Sequence, residues 1–117
     1  MTEKKREDYG CSVEAALDVI GGKWKGVVLF HLLEETLRFG ELHRRIPNVT
    51  RRMLTLSLRE LEADGLVHRE VYKQVPPKVE YSLTAYGQTI TPLIRSLRAW
   101  GDAYLERLDQ GELEVTI

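Results

Sequence analysis

In the stretch TRRMLTLSLRELEADGLV, residues 50–67, Arg51 and Arg52 stand side by side behind Thr50. The pattern reads as a helix beginning at those arginines. A helix N-terminus already carries partial positive charge, so each cation there costs a few tenths of a kcal/mol, up to about 1. Glu60, Glu62 and Asp64 gather towards the other end, again against the dipole. Rotation at about 100° per residue puts Leu54, Leu58 and Leu61 on one face. Arg52, Leu56, Arg59 and Ala63 fall opposite, with Thr55 flanking them. Such a helix makes sense when its N-terminal half enters a DNA major groove, where phosphates and guanine edges neutralise the guanidinium groups. Taken singly, each arginine equally suits plain solvent. The whole exposed face also suits a protein partner, a reading that salt dependence would separate from DNA binding.

Cys11 is the other reactive group, close in sequence to Lys4, Lys5 and Arg6, with Glu7 and Asp8 opposing their field. It reads either as a reactive thiol or as a small packing residue. His31, His43 and His68 stand alone on separate segments, and with one cysteine they form no metal-ligand spacing. No glycine-rich phosphate loop, nucleophile elbow or catalytic dyad is present, so neither an enzyme nor a cofactor is expected.

At 117 residues, 43% hydrophobic and 30% charged, the chain fits one soluble domain, 1–117, with a core of its own. No apolar run approaches the roughly 20 residues that span a bilayer, so no membrane partner is expected. MTEKKREDYG lacks the apolar core of a secretory signal. A lone cysteine cannot form an internal disulfide, which suits a reducing cytoplasm. The net charge of −1 conceals a division. From Arg38 to Tyr81, nine basic residues face six acids; from Ala99 to Ile117, one arginine faces five.

Turn signals divide the chain into elements that would hold these groups. Ser12 is placed to cap a first helix bearing Val13, Ala16, Leu17 and Ile20 on one face, which Gly21-Gly22 ends. A second helix, about Lys23 to Glu35, is apolar almost all round and belongs at the centre, with His31 and Trp24 as core residues. A third runs from about Phe39 to Arg45, before a Pro47-Asn48 turn. Thr50 caps the fourth, and Gly65 stands where a left-handed C-cap belongs. LVHREVYKQ and KVEYSL then make a β-hairpin whose tip carries Val75-Pro76-Pro77. Lys73, Gln74 and Lys78 around that tip suit DNA phosphates or a minor groove, or else a plain solvated turn. Arg38, Arg44 and Arg45 precede the fourth helix, and one or two of them suit the backbone. A final helix, about Thr84 to Leu108, has a possible kink at Pro92. The order is that of a winged helix-turn-helix: mainly α, with a small β-hairpin wing, a three-helical core and a long closing helix.

The segments CSVEAALDVIGGKWKGVVLFHLL, RFGELHRRIP, MLTLSLRELEADGLVHREVY and VPPKVEYSLTAYG resemble the HxlR family of bacterial transcription regulators from Cys11 to about Gly101. The resemblance implies a MarR-like winged helix acting as a homodimer on palindromic operators, more often as a repressor. It makes the fourth helix the recognition helix and Lys73 to Lys78 the wing tip. It also implies a sensing role for Cys11 towards oxidants or electrophiles such as quinones and aldehydes. Here sensing would need a Cys11–Cys11 bridge between protomers, a mixed disulfide or direct alkylation. The sequence departs from the family pattern at Arg51, commonly proline, and at Leu56-Ser57, commonly a polar pair such as Gln-Arg. Leu56 puts an apolar group where an amide would read a base, and suits a thymine methyl instead.

A helix from 84 to 108 would span about 36 Å, more than so small a core covers. Ile90, Leu93, Ile94, Leu97, Trp100, Tyr104 and Leu108 form its stripe. The expected partner is a second copy, paired through this stripe and through Val13, Leu17 and Ile20; folding back onto its own core is the alternative. A small-molecule effector at the seam between copies stays open.

Overall fold

The computed structural model describes residues 3–111, so Glu112 and Glu114 of the acidic C-terminal count lie outside it. Five α-helices and three strands follow in the order α1 (Ser12–Ile20), α2 (Lys25–Leu32), β1 (Leu37–Arg38), α3 (Phe39–Arg45), α4 (Arg51–Ala63), β2 (Val67–Tyr72), β3 (Lys78–Leu83) and α5 (Thr91–Asp109). Short 3₁₀ turns at Arg6–Asp8 and Gly87–Ile90 complete the chain.

The core forms where the apolar faces meet. Val28, Leu29 and Leu32 of α2 pack with Leu42 of α3 and with Leu54, Leu58 and Leu61 of α4, all essentially removed from solvent. Trp24 packs at the edge of this cluster. Leu66, Val67 and Tyr81 close it from the sheet. The sheet is antiparallel in the order β1-β3-β2, with Val67 opposite Leu83 and Tyr72 opposite Lys78. β1 was not expected; its two residues pair Leu37 with Tyr81 and Arg38 with Glu80.

Both ends of α4 are closed by local chemistry. The Thr50 hydroxyl accepts from the Met53 N–H at 3.1 Å. At the other end Leu66 N–H donates to Leu61 O and Gly65 N–H to Glu62 O, each at 3.0 Å. Gly65 takes φ +81°. This is a Schellman ending, with Leu66 carrying the chain straight into β2.

Four expectations change. The N-cap of α1 is Cys11, and Ser12 is its first helical residue; Gly10 N–H donates instead to the Glu14 carboxylate at 2.6 Å. The last helix does not begin at Thr84. That hydroxyl donates to Gly65 O at 2.6 Å and accepts from Gly87 N–H at 2.8 Å, which turns the chain. Pro92 then occupies the first turn of α5, where no N–H partner is lost, so it starts the helix and does not kink it. His31 lies half-buried beside a cavity and not in the core.

Ile20 and Ile94 also differ from expectation, because both are buried in the protomer's own core, with Ile90 packed beside them. What stays exposed is Val13 and Leu17 of α1 and Leu93, Leu97, Trp100, Tyr104, Leu105 and Leu108 of α5. The stripe therefore folds back only at Ile90 and Ile94, while its later members stay open and Trp100 stacks on Tyr104 with ring centroids 5.6 Å apart. The radius of gyration, 16.5 Å, exceeds the roughly 13 Å of a compact domain this long.

Leu58 is one of the three leucines that anchor α4. Leu58→Ala is expected to lower the unfolding free energy by about 2–5 kcal/mol, read as a lower urea midpoint with an unchanged m-value at fixed protein concentration.

Candidate nucleic-acid interface

The rotation of α4 follows from its buried leucines, and Ser57 is buried with them. Arg51, Arg52, Thr55, Leu56 and Arg59 consequently line one open groove of about 350 Å³. Arg51 lies with its guanidinium 4.9 Å from the centroid of the Phe39 ring, at the α3 side of the helix. The Thr55 hydroxyl donates to Arg51 O at 2.8 Å. Leu56 is 46% exposed between the arginines.

Charge pairing separates the two ends of the helix. Glu60 is bridged by Lys25 at 3.3 Å, and Asp64 receives Lys4 at 2.9 Å. Two of the three misplaced anions, Glu60 and Asp64, are thus neutralised within the protomer. Among the described residues no carboxylate pairs with Arg51, Arg52 or Arg59, nor with Arg38, Arg44 or Lys73. Arg45 is different: it forks onto Glu35 at 2.6 and 3.3 Å, which holds that carboxyl below the usual carboxylate range.

At the hairpin tip, residues 73–77 join β2 to β3. Lys78 is partly engaged by its own strands, 3.5 Å from Glu80 and 4.8 Å above the Tyr72 ring. A hydrogen bond to Glu80 pushes the Tyr72 hydroxyl pKa up. Lys73 and Gln74 stand in the loop, exposed.

Cys11 is exposed and takes no part in the protomer's own core. It borders a groove of about 640 Å³ with Arg6, Tyr9 and Ala15. The segment before it is pinned by Lys4, whose ammonium reaches Asp64 at 2.9 and 3.0 Å and Asp18 at 3.1 Å. Those contacts, the one to Asp64 foremost, raise the Lys4 pKa. Tyr9 donates to Asp18 at 2.6 Å, and Asp18 is held below the ordinary aspartate value by that bond and by Lys4. Sequence reading missed this cluster, whose members are brought together only by the fold.

Between α2, the end of α3 and α5 lies a further cavity of about 520 Å³. Its arginines are all engaged: Arg45 by Glu35, Arg95 by Glu34 at 3.2 Å, and Arg98 by Asp102 at 3.9 Å. Burial, then the nearby Arg45 charge, lowers the His31 pKa.

Two helices joined by a short turn, the second exposed along its outer face, and a β-hairpin beside them define a winged helix-turn-helix protein. The profile of the HxlR-like helix-turn-helix family matches residues 19–109, and the chain belongs to that family. It is similar to the uncharacterized HTH-type transcriptional regulator YdeP of Bacillus subtilis (strain 168), 58% identical over 103 residues, covering 88% of this chain and 80% of YdeP. Among solved structures it is similar to the redox regulator HypR in its oxidized form, with 59% identity, a TM-score of 0.77, and 80% and 96% of the two chains covered. Reduced HypR aligns at 55% identity and a TM-score of 0.80, covering 86% and 99%. Quinone-bound YodB of B. subtilis aligns at 30% and 0.65, covering 78% and 96%. The chain is a helix-turn-helix transcriptional regulator, and no helix among its described residues is long and apolar enough to cross a membrane.

Proposed function

We propose that the protein is a cytoplasmic homodimeric repressor that binds a palindromic operator in double-stranded DNA. Thr50, Arg51, Arg52, Thr55, Leu56 and Arg59 enter the major groove, while Arg38, Arg44, Lys73, Gln74 and Lys78 hold the backbone. The observation that carries the reading is the asymmetry along α4, where Glu60 and Asp64 have cationic partners but, among the described residues, Arg51, Arg52 and Arg59 have no anionic ones. Titration of a duplex at rising salt tests it. Each phosphate contact contributes about 0.9 to the logarithmic salt slope. Arg51→Ala with Arg52→Ala is expected to weaken binding at least about tenfold and to flatten the slope by roughly one to two. A slope near zero, or a variant that binds like the parent, overturns DNA binding in favour of a protein-docking helix.

Pairing of two copies through Val13, Leu17, Leu97, Trp100 and Tyr104, backed by Ile20, Ile90 and Ile94, is supported by the exposure of that apolar face: Trp100 is 68% and Val13 66% exposed. A two-fold axis there would set two recognition helices about 34 Å apart, one turn of DNA. Leu97→Glu with Trp100→Glu is expected to sediment as a monomer and to lose most operator affinity. A variant that stays dimeric places the interface elsewhere.

Cys11 supplies the signal. Its exposed thiol and its kinship with a redox regulator and with quinone-bound YodB support this reading. Alkylation needs only the electrophile: the thiolate sulfur bonds to an activated ring carbon, and the ring oxygen takes up the proton. A disulfide oxidant would instead bridge two Cys11 thiols across the dimer, or cap one with a small thiol. Quinone or diamide treatment is expected to release DNA from the parent and not from Cys11→Ser. Equal release from both overturns the sensor role.

A further inference from the structure

The outward face of α4 limits which base edges it can read. Arg52, Thr55, Leu56 and Arg59 surround the groove, with Arg51 leaning back over Phe39. Among the residues lining the groove the one hydroxyl is that of Thr55, which donates its proton to Arg51 O at 2.8 Å. Ser57 is turned into the core. No asparagine, glutamine or carboxylate stands among these groove residues, so adenine has no bidentate amide partner and the cytosine amino group no acceptor. What remains is two guanidinium forks and exposed hydrocarbon, chiefly Leu56 with Met53 beside it at 39% exposure. In a major groove the one base feature that apolar groups recognise is a methyl group at C5 of a pyrimidine.

We propose that Leu56 is the specificity-determining residue of this regulator and reads the C5-methyl group of a pyrimidine, in a half-site whose neighbouring guanines meet Arg52 and Arg59. Leu56 follows Arg52 by four residues and precedes Arg59 by three, so the three share one face about 5–6 Å apart. Base steps rise about 3.4 Å, which puts each guanine one or two steps from the methyl. The inference rests on the DNA-binding reading above and deepens it.

Selection by the full-length protein from a randomised duplex library is expected to enrich an inverted repeat with a thymine near guanine in each half. Deoxyuridine in place of that thymine removes only the methyl group. It should weaken binding about fourfold per half-site, the equilibrium weight of one buried methyl. Cytosine and 5-methylcytosine at the same position form the second pair. Equal gains in both pairs identify the methyl itself as the feature. A gain confined to 5-methylcytosine over cytosine names methylated DNA as its source.

Leu56→Ala keeps a good helix former and is expected to bind with the parental salt slope but without either methyl preference. Leu56→Gln should shift the preference to adenine. Thymine chosen over cytosine with no loss on deoxyuridine substitution means that O4 is read, and overturns the proposal. So does a methyl preference that survives in Leu56→Ala, or a selection that enriches nothing while the salt slope stays steep. A parent protein with no salt-dependent duplex affinity fails earlier, at DNA binding itself.

Discussion

The inward rotation of α4, fixed by Leu54, Leu58 and Leu61 against Val28, Leu29 and Leu32 of α2, is the constraint from which the site follows. Each buried leucine contributes about 1.5–3 kcal/mol. Each cation misplaced in the first turn costs at most about 1 kcal/mol. Packing therefore decides which way the helix faces, and Arg52, Leu56 and Arg59 are carried to the far side whatever their electrostatic cost. The Thr50 cap and the Gly65 ending fix where the helix starts and stops, so these groups are set in depth as well as in angle. Gly87 adds a wedge-free contact: a Cβ there would come within 2.1 Å of Leu66 O, so the turn into α5 lies directly against the step from α4 into β2.

Charge then sorts itself on that frame. Glu60 and Asp64 at the C-terminal end of α4 meet lysines from elsewhere in the fold, Lys25 on α2 and Lys4 before α1. Lys4 serves two anions at once, Asp18 on α1 and Asp64 at the end of α4. The segment carrying Cys11 and the recognition helix thus share one anchoring side chain. These are surface ion pairs, individually worth about 0–1 kcal/mol. They position a segment more than they stabilise the domain.

The sequence displays α3 and α4 almost to the residue, because their signals are local: a capping threonine, a proline turn, a glycine in the left-handed region. It displays the outward face of α4 for the same reason, since leucine spacing alone gives the rotation. β1 was hidden, because two residues hold no pattern and their strand exists only through pairing with β3. The start of α5 was hidden by apolar periodicity that runs on through the 3₁₀ turn, where the Thr84 hydroxyl overrides it. Ile20 and Ile94 show the limit of periodicity, which identifies an apolar face but not the surface that covers it. The Lys4 cluster, Arg51 over Phe39 and Lys78 over Tyr72 depend on contacts between different elements, and no spacing rule announces them.

The elongated form has an electrostatic counterpart. α5 leaves the core after Ile94 and carries its apolar side chains outward, Trp100 and Tyr104 stacked together. From Ala99 onward the sequence holds one arginine against five acids, whereas the stretch from Arg38 to Tyr81 holds a basic excess. A polyanion approaching the protein is attracted at the α4 and hairpin side and repelled from the α5 end. The repulsion acts on encounter and orientation more than on final affinity, because charges beyond about 8 Å are screened at physiological salt. The same segregation leaves the apolar stripe of α5 away from the basic stretch, so a second copy docking there would not cover the outward face of α4.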